Sequence, residues 1–250
     1  MKDHLLGPLW NRLARDASLD AADRAAFLAL PFHSRRCEAG EHLEYPGKER
    51  SDYKALLSGF AYRGRMLSDG SRQIVSVHVP GEFVNLDLLI DAKAPHELRM
   101  LTPGRIVSVN AGAFGDCLRS RPAVLRALWR QTAVEASIFS EWIARLGRRD
   151  ARARVAHFLC EFALRARLVA GKDIALPMTQ MQLADATGLS PVHVNRTLAG
   201  LRRSGLIRVD VGDIRIRDLA GLAQAGDFDP SYLGLAGCED ELAARASAQN

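Results

Sequence analysis

Nowhere does the sequence hold about 18 consecutive apolar residues, the length that carries a helix across a bilayer, although 48% of its 250 residues are hydrophobic. A membrane span is therefore not expected. Four cysteines, Cys37, Cys117, Cys160 and Cys238, stand far apart with no C-x-x-C pair among them. Structural zinc and iron–sulfur sites usually draw two ligands from one short loop, so no metal site is assigned. Met1–Arg15 carries Asp3, His4, Arg12 and Arg15 in place of the apolar core of a signal peptide, and the expected location is the cytoplasm. Structural disulfides are not expected in that reducing compartment, which leaves the cysteines as packing or surface thiols. Also missing are G-x-x-x-x-G-K-[ST], G-x-G-x-x-G and G-x-S-x-G, the loops that cradle phosphates or present a nucleophile. His33, His42, His78 and His96 include no H-x-H and no paired carboxylate at ligand spacing. Without such a set a metal-dependent β-barrel enzyme is disfavoured. No catalytic residue and no cofactor is identified, and the chain is not expected to be an enzyme.

What is present begins with length. At 250 residues the chain exceeds the usual size of one domain, about 100–150 residues, so two domains are expected. The overall net charge of +5 is unevenly placed. Between Arg145 and Arg217 stand fourteen Arg and Lys residues against six acids, a local net charge of +8 that leaves −3 for the rest. Positive charge gathered in one segment is the footprint of binding to a phosphate backbone.

Two helical patterns open the chain, roughly Lys2–Arg15 and Asp20–Leu30, the second stopped by Pro31. From Phe32 to Val109 short β-rich runs (Tyr53–Leu57, Gln73–Val79, Arg105–Val109) alternate with turn signals at Ala39-Gly40, Pro46-Gly47, Pro80-Gly81 and Pro103-Gly104. Asp69-Gly70 between alternating flanks predicts a hairpin, and many short strands predict an antiparallel barrel or roll. After Pro122 the pattern turns helical. Leu125, Leu128, Thr132, Ala136, Phe139, Ile143 and Leu146 recur at steps of three and four, a stripe that suits a coiled-coil seam on a rod of about 38 Å. Gly147 and Arg148-Arg149 are expected to end it. A further helix, about Ala151–Leu168, would carry Val155, Phe158, Leu159 and Phe162 on one face.

Residues 179–203, TQMQLADATGLSPVHVNRTLAGLRR, have a physical reason at nearly every position. Thr179 and Gln182 match a capping box. Gly188 permits the left-handed backbone of a sharp turn. Ser190 can cap a second helix whose first residue, Pro191, has no N–H to leave unpaired. Val194, Leu198 and Leu201 would face inward, leaving Pro191, Val192, His193, Asn195, Arg196 and Thr197 outward near the N-terminal end. Two helices joined by a short glycine-containing turn form a helix-turn-helix, whose second helix enters the major groove of double-stranded DNA. Leu206–Asp210 and Asp213–Arg217 flank Val211-Gly212 as the strands of a wing. The expected DNA-contacting residues are Thr179, Ser190, Pro191, Val192, His193, Asn195, Arg196, Arg202, Arg203 and Arg208.

Roll, long helix and winged helix in this order resemble the CRP/FNR superfamily, bacterial regulators related to the cyclic-AMP receptor protein. The likeness covers about residues 20–233. It rests on YKALLSG at Tyr53–Gly59, the hairpin Ser68–Gly70 with Gln73-Ile74-Val75, Pro80-Gly81-Glu82-Phe83, and LADATGLSPVHVNRTLAGLRRSGLI at Leu183–Ile207. It implies an α+β protein with a cyclic-nucleotide-binding-like β-roll and N-terminal helices in 1–121, and a dimerisation helix in 122–149. A winged helix-turn-helix in 150–233 and a flexible tail in 234–250 complete the layout. It further implies a homodimer joined along the stripe, a palindromic DNA site and RNA polymerase as a partner. An effector pocket would involve Phe83, Asn85, Leu86, His96 and Arg99.

Members that bind cyclic AMP carry F-G-E-[LI] and, about ten residues on, an Arg for the cyclic phosphate. Here Leu86 stands where the ribose-binding Glu would be, and Pro95 or His96 where the Arg would be. A buried phosphate without that Arg is strongly disfavoured, and Glu97 adds repulsion. Cyclic-AMP dependence is therefore not expected, and a small-molecule effector is left unidentified. The reading helix departs too. Well-studied members present Arg or Val, then Glu, then Arg; this chain has Pro191, Val192 and Arg196, which predicts a different half-site. Two other readings stand beside this one: a dimeric sensor acting through a protein partner, and a β-roll enzyme that binds a small molecule.

Overall fold

The computed structural model describes residues 3–15, 17–170, 175–210 and 213–234. Its contacts separate the chain into two units, Met1–Arg65 with Val77–Ala133, and Met66–Ser76 with Val134–Asn250.

The first unit opens with helices α1 (Asp3–Ala14) and α2 (Ala21–Leu28). Asp20 and Asp23 cap α2 reciprocally: the Asp23 N–H donates to Asp20 Oδ1 at 2.7 Å and the Asp20 N–H to Asp23 Oδ2 at 3.2 Å. Seven strands follow, of which β5 begins in residues assigned to the second unit: β1 (Phe32–Cys37), β2 (His42–Glu44), β3 (Asp52–Ser58), β4 (Ala61–Met66), β5 (Arg72–His78), β6 (Glu97–Met100) and β7 (Gly104–Asn110). They form two sheets, β1-β7-β3 and β2-β6-β4-β5. In the first, Phe32–Cys37 and Asp52–Ser58 both run antiparallel to β7. Cys37, Leu43, Leu56, Ala61, Val84, Leu98, Met100 and Ile106 make one small buried cluster. A larger core gathers α1 and α2 with α3 (Ala111–Ser120) and the start of α4 (Pro122–Arg148) over β3 and β7. Its centre is aromatic, with Phe83 stacked on Phe114 at 5.2 Å and Phe27 and Tyr53 meeting them edge-on. Such pairs add stabilisation beyond the area they bury.

The strand runs expected at 53–57 and 105–109 lie within β3 and β7, the run expected at 73–79 passes one residue beyond β5, and the Asp69-Gly70 turn joins β4 to β5. Asp69 Oδ1 accepts both the N–H and the hydroxyl of Ser71, which fixes that turn. α4 runs to Arg148, so Gly147 falls inside its last turn rather than ending it. Cys37, Cys117 and Cys160 are buried free thiols. Cys238 and residues 235–250 of the expected flexible tail 234–250 lie outside the described residues, as does the wing turn Val211-Gly212.

The second unit holds the remainder of α4, then α5 (Ala151–Ala170), α6 (Gln180–Thr187), α7 (Pro191–Arg203), strands β8 (Ile207–Asp210) and β9 (Asp213–Ile216), α8 (Leu219–Gly226) and a 3-10 turn at Pro230–Leu233. Residues 66–76 belong to this unit because Arg72 Nε and Nη2 both donate to Asp185 Oδ2, at 2.9 and 2.7 Å, and Gln73 Nε2 donates to the Asp185 carbonyl at 2.7 Å. α5 departs from the one-sided helix expected. Val155, Phe158, Leu159 and Phe162 are buried, but so are Ala156, His157, Cys160 and Glu161, because α6, α7 and α8 all pack on it. α8 comes close enough that a Cβ on Gly226 would meet the His157 backbone nitrogen at 2.6 Å.

Candidate nucleic-acid interface

α6 starts where the sequence supplies its cap. The Gln182 N–H donates to Thr179 Oγ1 at 3.2 Å and the Thr179 N–H to Gln182 Oε1 at 2.9 Å, so two helix-end donors are satisfied reciprocally. It stops at Gly188, whose φ of 62° places the backbone in the left-handed region where a side chain is resisted. Three residues later Pro191 opens α7, capped by Ser190 Oγ, which accepts from the His193 N–H at 3.2 Å. Leu183, Ala184, Ala186, Val194, Leu198 and Leu201 are buried, and these small or regular side chains let the helices cross closely. Thr187, also buried, returns its hydroxyl proton to the Leu183 carbonyl at 2.7 Å.

Burial of that face decides what α7 offers outward. Ser190, Val192, His193, Asn195 and Arg196 are exposed and Pro191 half-buried, together with Thr179 and Gln180 at the start of α6. At 100° per residue Val192, Arg196, Ala199 and Arg203 form one stripe. Arg203 therefore extends the line of Arg196 about 10 Å toward the C-terminal end. Arg202 is exposed at that same end, and Arg208 lies on β8, paired with Asp210 at 2.8 Å. β8 and β9 are antiparallel, with Arg208 opposite Arg215, so the wing presents two guanidinium groups as neighbours. Two contributors escape a reading of sequence spacing. Gln180 Oε1 accepts from Asn195 Nδ2 at 3.1 Å, tying the first helix to the exposed face of the second. Arg152 of α5 donates from Nη2 to Ser204 Oγ at 3.2 Å, adding a cation near the end of α7. Both depend on how helices cross, which local periodicity does not encode.

Along α4 the expected seam needs one correction. Leu125, Thr132, Ala136 and Ile143 are exposed, and Phe139 and Leu146 half-buried. Leu128, at 2% exposure, belongs to the core of the first unit, while its neighbour Trp129 is 73% exposed. Replacing Leu128 by Trp129 yields 125, 129, 132, 136, 139, 143 and 146, alternating steps of four and three, the spacing of a coiled-coil seam.

Of the five residues expected around an effector, four are engaged elsewhere, while His96 keeps a buried Nδ1 without a hydrogen-bond partner. Phe83 and Leu86 are part of the aromatic core. Asn85 is buried, its Nδ2 donating to Glu44 Oε1 at 2.7 Å and to the Asp52 carbonyl at 3.0 Å, its Oδ1 accepting from the Lys54 N–H at 2.7 Å. Glu44 also pairs with Lys54 at 3.0 Å and Arg50 at 3.3 Å, and Arg50 with Asp87 at 2.8 Å. Arg99 donates twice to the Gly40 carbonyl. His96 is half-buried, and burial followed by Arg63 holds its pKa below the ordinary value. Among the described residues no three His, Cys, Asp or Glu side chains form a group that could hold a metal ion, and no helix is long and apolar enough to cross a membrane.

Residues 153–225 match the Crp-like helix-turn-helix domain family. The chain is 31% identical to the nitrogen fixation regulation protein FixK of Bradyrhizobium diazoefficiens, over 82% of this chain and 86% of that protein. It is 26% identical to the transcriptional activator protein FnrL of Cereibacter sphaeroides, over 84% and 87% of the two chains. The structure of FixK2 from Bradyrhizobium japonicum superposes with a TM-score of 0.71 at 26% identity, covering 78% of this chain and 98% of that one.

Proposed function

Because the chain belongs to the CRP/FNR superfamily of transcription regulators, we propose that it acts as a homodimer that reads a palindromic DNA site with α7 of each subunit in the major groove. The observation that carries this reading is the capped α6–α7 pair, which buries Val194, Leu198 and Leu201 and leaves His193, Asn195 and Arg196 outward near the start of α7. Arg196 can form two parallel bonds to guanine O6 and N7. Val192 supplies no carboxylate for a cytosine amino group, so the half-site differs from that of members with a Glu there. Arg202, Arg203, Arg208 and Arg152 hold phosphates and set register without reading bases.

The dimer seam follows Leu125, Trp129, Thr132, Ala136, Phe139, Ile143 and Leu146. The protein works where DNA is, in the cytoplasm, with RNA polymerase as its downstream partner, and performs no catalysis. Cyclic AMP is not the signal. Leu86 is buried among apolar side chains, Asn85 is held by Glu44 and Lys54, and no arginine stands at 95 or 96. These residues do not fit a cyclic phosphate. Selection of bound fragments from random DNA by the purified full-length protein tests the reading: enrichment of one palindrome supports it, and retention without sequence preference at physiological salt refutes it.

A further inference from the structure

Away from the DNA face, the second unit buries polar atoms with no hydrogen-bond partner, and they fall in one place. α4 and the residue following it provide Glu141, Arg145 and Arg149 at steps of four, on one helix face. α5 provides His157. The unpartnered atoms are Glu141 Oε1, all three nitrogens of the Arg145 guanidinium, Arg149 Nη1 and both ring nitrogens of His157. Glu141 Oε1 lies 3.0 Å from Arg149 Nη1, near enough for ion pairing, and 3.2 Å from His157 Nε2, neither contact being aligned as a hydrogen bond.

Arg145 is the centre of the problem. It is 0% exposed, with its guanidinium carbon 4.5 Å from the centroid of the Trp142 ring and 5.4 Å from that of Phe158. Ring faces offset part of its charge, but they do not satisfy five in-plane N–H donors. The acid whose charge acts most strongly on it is already occupied: Glu161 accepts from Trp142 Nε1 at 2.9 Å, the Tyr232 hydroxyl at 2.9 Å and Arg165 Nη1 at 3.2 Å. Asp227, which pairs with Arg149 at 3.2 Å, is an exposed side chain whose charge is spread into solvent. Glu161 and Glu141 both act on Arg145, but they also serve Arg165 and Arg149, so three guanidinium charges share two carboxylates. His157 adds none, since burial, then Arg145 and Arg149, press its pKa down to about 3. A neutral imidazole still offers one N–H.

We propose that Arg145, His157 and Arg149 form a buried binding site for a small monovalent anion of the chloride class. Arg145 is the principal donor, and the anion joins α4 to α5. Buried donors require an acceptor, and a single negative charge supplies both the missing acceptor and the missing counter-charge. A small ion is specified because every unpartnered atom of the lining is shielded from solvent, and a phosphate ester or a nucleotide carries a polar remainder that would have to reach water. This site is independent of the DNA-reading face and stands whether or not that face reads a palindrome.

Bromide is the probe, because it replaces chloride and scatters anomalously. Crystals of the full-length protein grown with sodium bromide are expected to show an anomalous peak within hydrogen-bonding reach of the Arg145 guanidinium. In solution, at fixed ionic strength, exchanging gluconate for bromide should raise the melting temperature saturably, on the order of 3–5 °C at ten times the dissociation constant. Arg145→Met should abolish that rise, since removing an unmatched buried charge in favour of an apolar chain is tolerated. An ordered water without anomalous signal at this position overturns the proposal, as does a bromide dependence equal in wild type and variant. Should Arg145→Met not fold, the wild-type bromide map alone decides.

Discussion

Arg196 and His157 lie in the same unit under opposite constraints, one side chain exposed and the other sealed in. For Arg196, on the proposed DNA-reading face, the expected consequence is specificity. Arg196→Ala should cost about 1–3 kcal/mol on the selected site and relax preference at one base pair per half-site. Arg203→Ala should instead weaken every sequence alike and lower the salt dependence by about one unit. Competition binding on single-base variants separates the two, and an unchanged motif after Arg196→Ala would hand the reading to His193 and Asn195. Asn195 does not act alone, because Gln180 holds its amide. Gln180→Ala and Asn195→Ala should therefore be non-additive on that site by at least about 0.5 kcal/mol; strict additivity would show that the hydrogen bond does not orient Asn195. For His157 the consequence is a pH dependence of folding. Its folded pKa is depressed from 6.5 to about 3, so between these values the unfolded chain binds a proton that the folded chain refuses. Stability contributed by this group is present above about pH 6.5 and lost as pH falls, by about 2 kcal/mol at pH 5. Urea unfolding of wild type and His157→Phe at pH 7 and pH 5 should show the variant losing that much less on acidification. Equal losses would mean that His157 is protonated in the folded protein.

Among the elements, the ones announced by backbone chemistry were readable in advance and the ones fixed by distant partners were not. α6 and α7 declare themselves through Thr179, Gly188, Ser190 and Pro191, each of which answers a local need of the chain. β7 does so through Ile106, Val107 and Val109. α3, by contrast, contains Gly112 and Gly115, and its apolar stripe, Phe114, Cys117 and Leu118, is only about one turn long; its start is set by Asn110, whose side chain accepts from the Gly112 and Ala113 N–H groups. The stripe on α4 departs from the expected one at a single position, Leu128, for a related reason. Leu128 and Trp129 both satisfy steps of three and four, and only the apolar surface of the first unit decides that Leu128 turns in. The Arg145–His157 cluster was invisible because its members meet across two helices. The correction on α4 carries a test. Trp129→Glu with Ile143→Glu should put like charges across the seam and yield monomers by light scattering, and a persistent dimer would place the interface elsewhere. Leu128→Ala should leave the subunit count intact and lose about 2–5 kcal/mol of stability as a core truncation.

For the molecule as a whole, a twofold dimer has a geometric signature. The selected DNA should be a palindrome with half-site centres about 34 Å apart, one turn of the duplex. Cyclic AMP should leave both the melting temperature and DNA binding unchanged, whereas a true ligand at 100 times its dissociation constant would stabilise by about 2.7 kcal/mol. A clear upward shift would overturn the reading of Leu86 and Pro95. The separation of faces on α4 reaches further. Val124, Ala127 and Leu128 are spent on the subunit's own interior, while Trp129, Thr132, Ala136 and Ile143 are not. On the proposed seam, pairing preference could therefore be rewritten without touching the fold. An acidic set at 129 and 143 in one gene copy and a basic set in another would make two chains that refuse themselves and accept each other. Such a pair could carry different residues at position 196 and recognise an operator with two unlike halves. A lineage that duplicates this gene has the same route open to it, a few surface codons away from a second, insulated regulatory circuit.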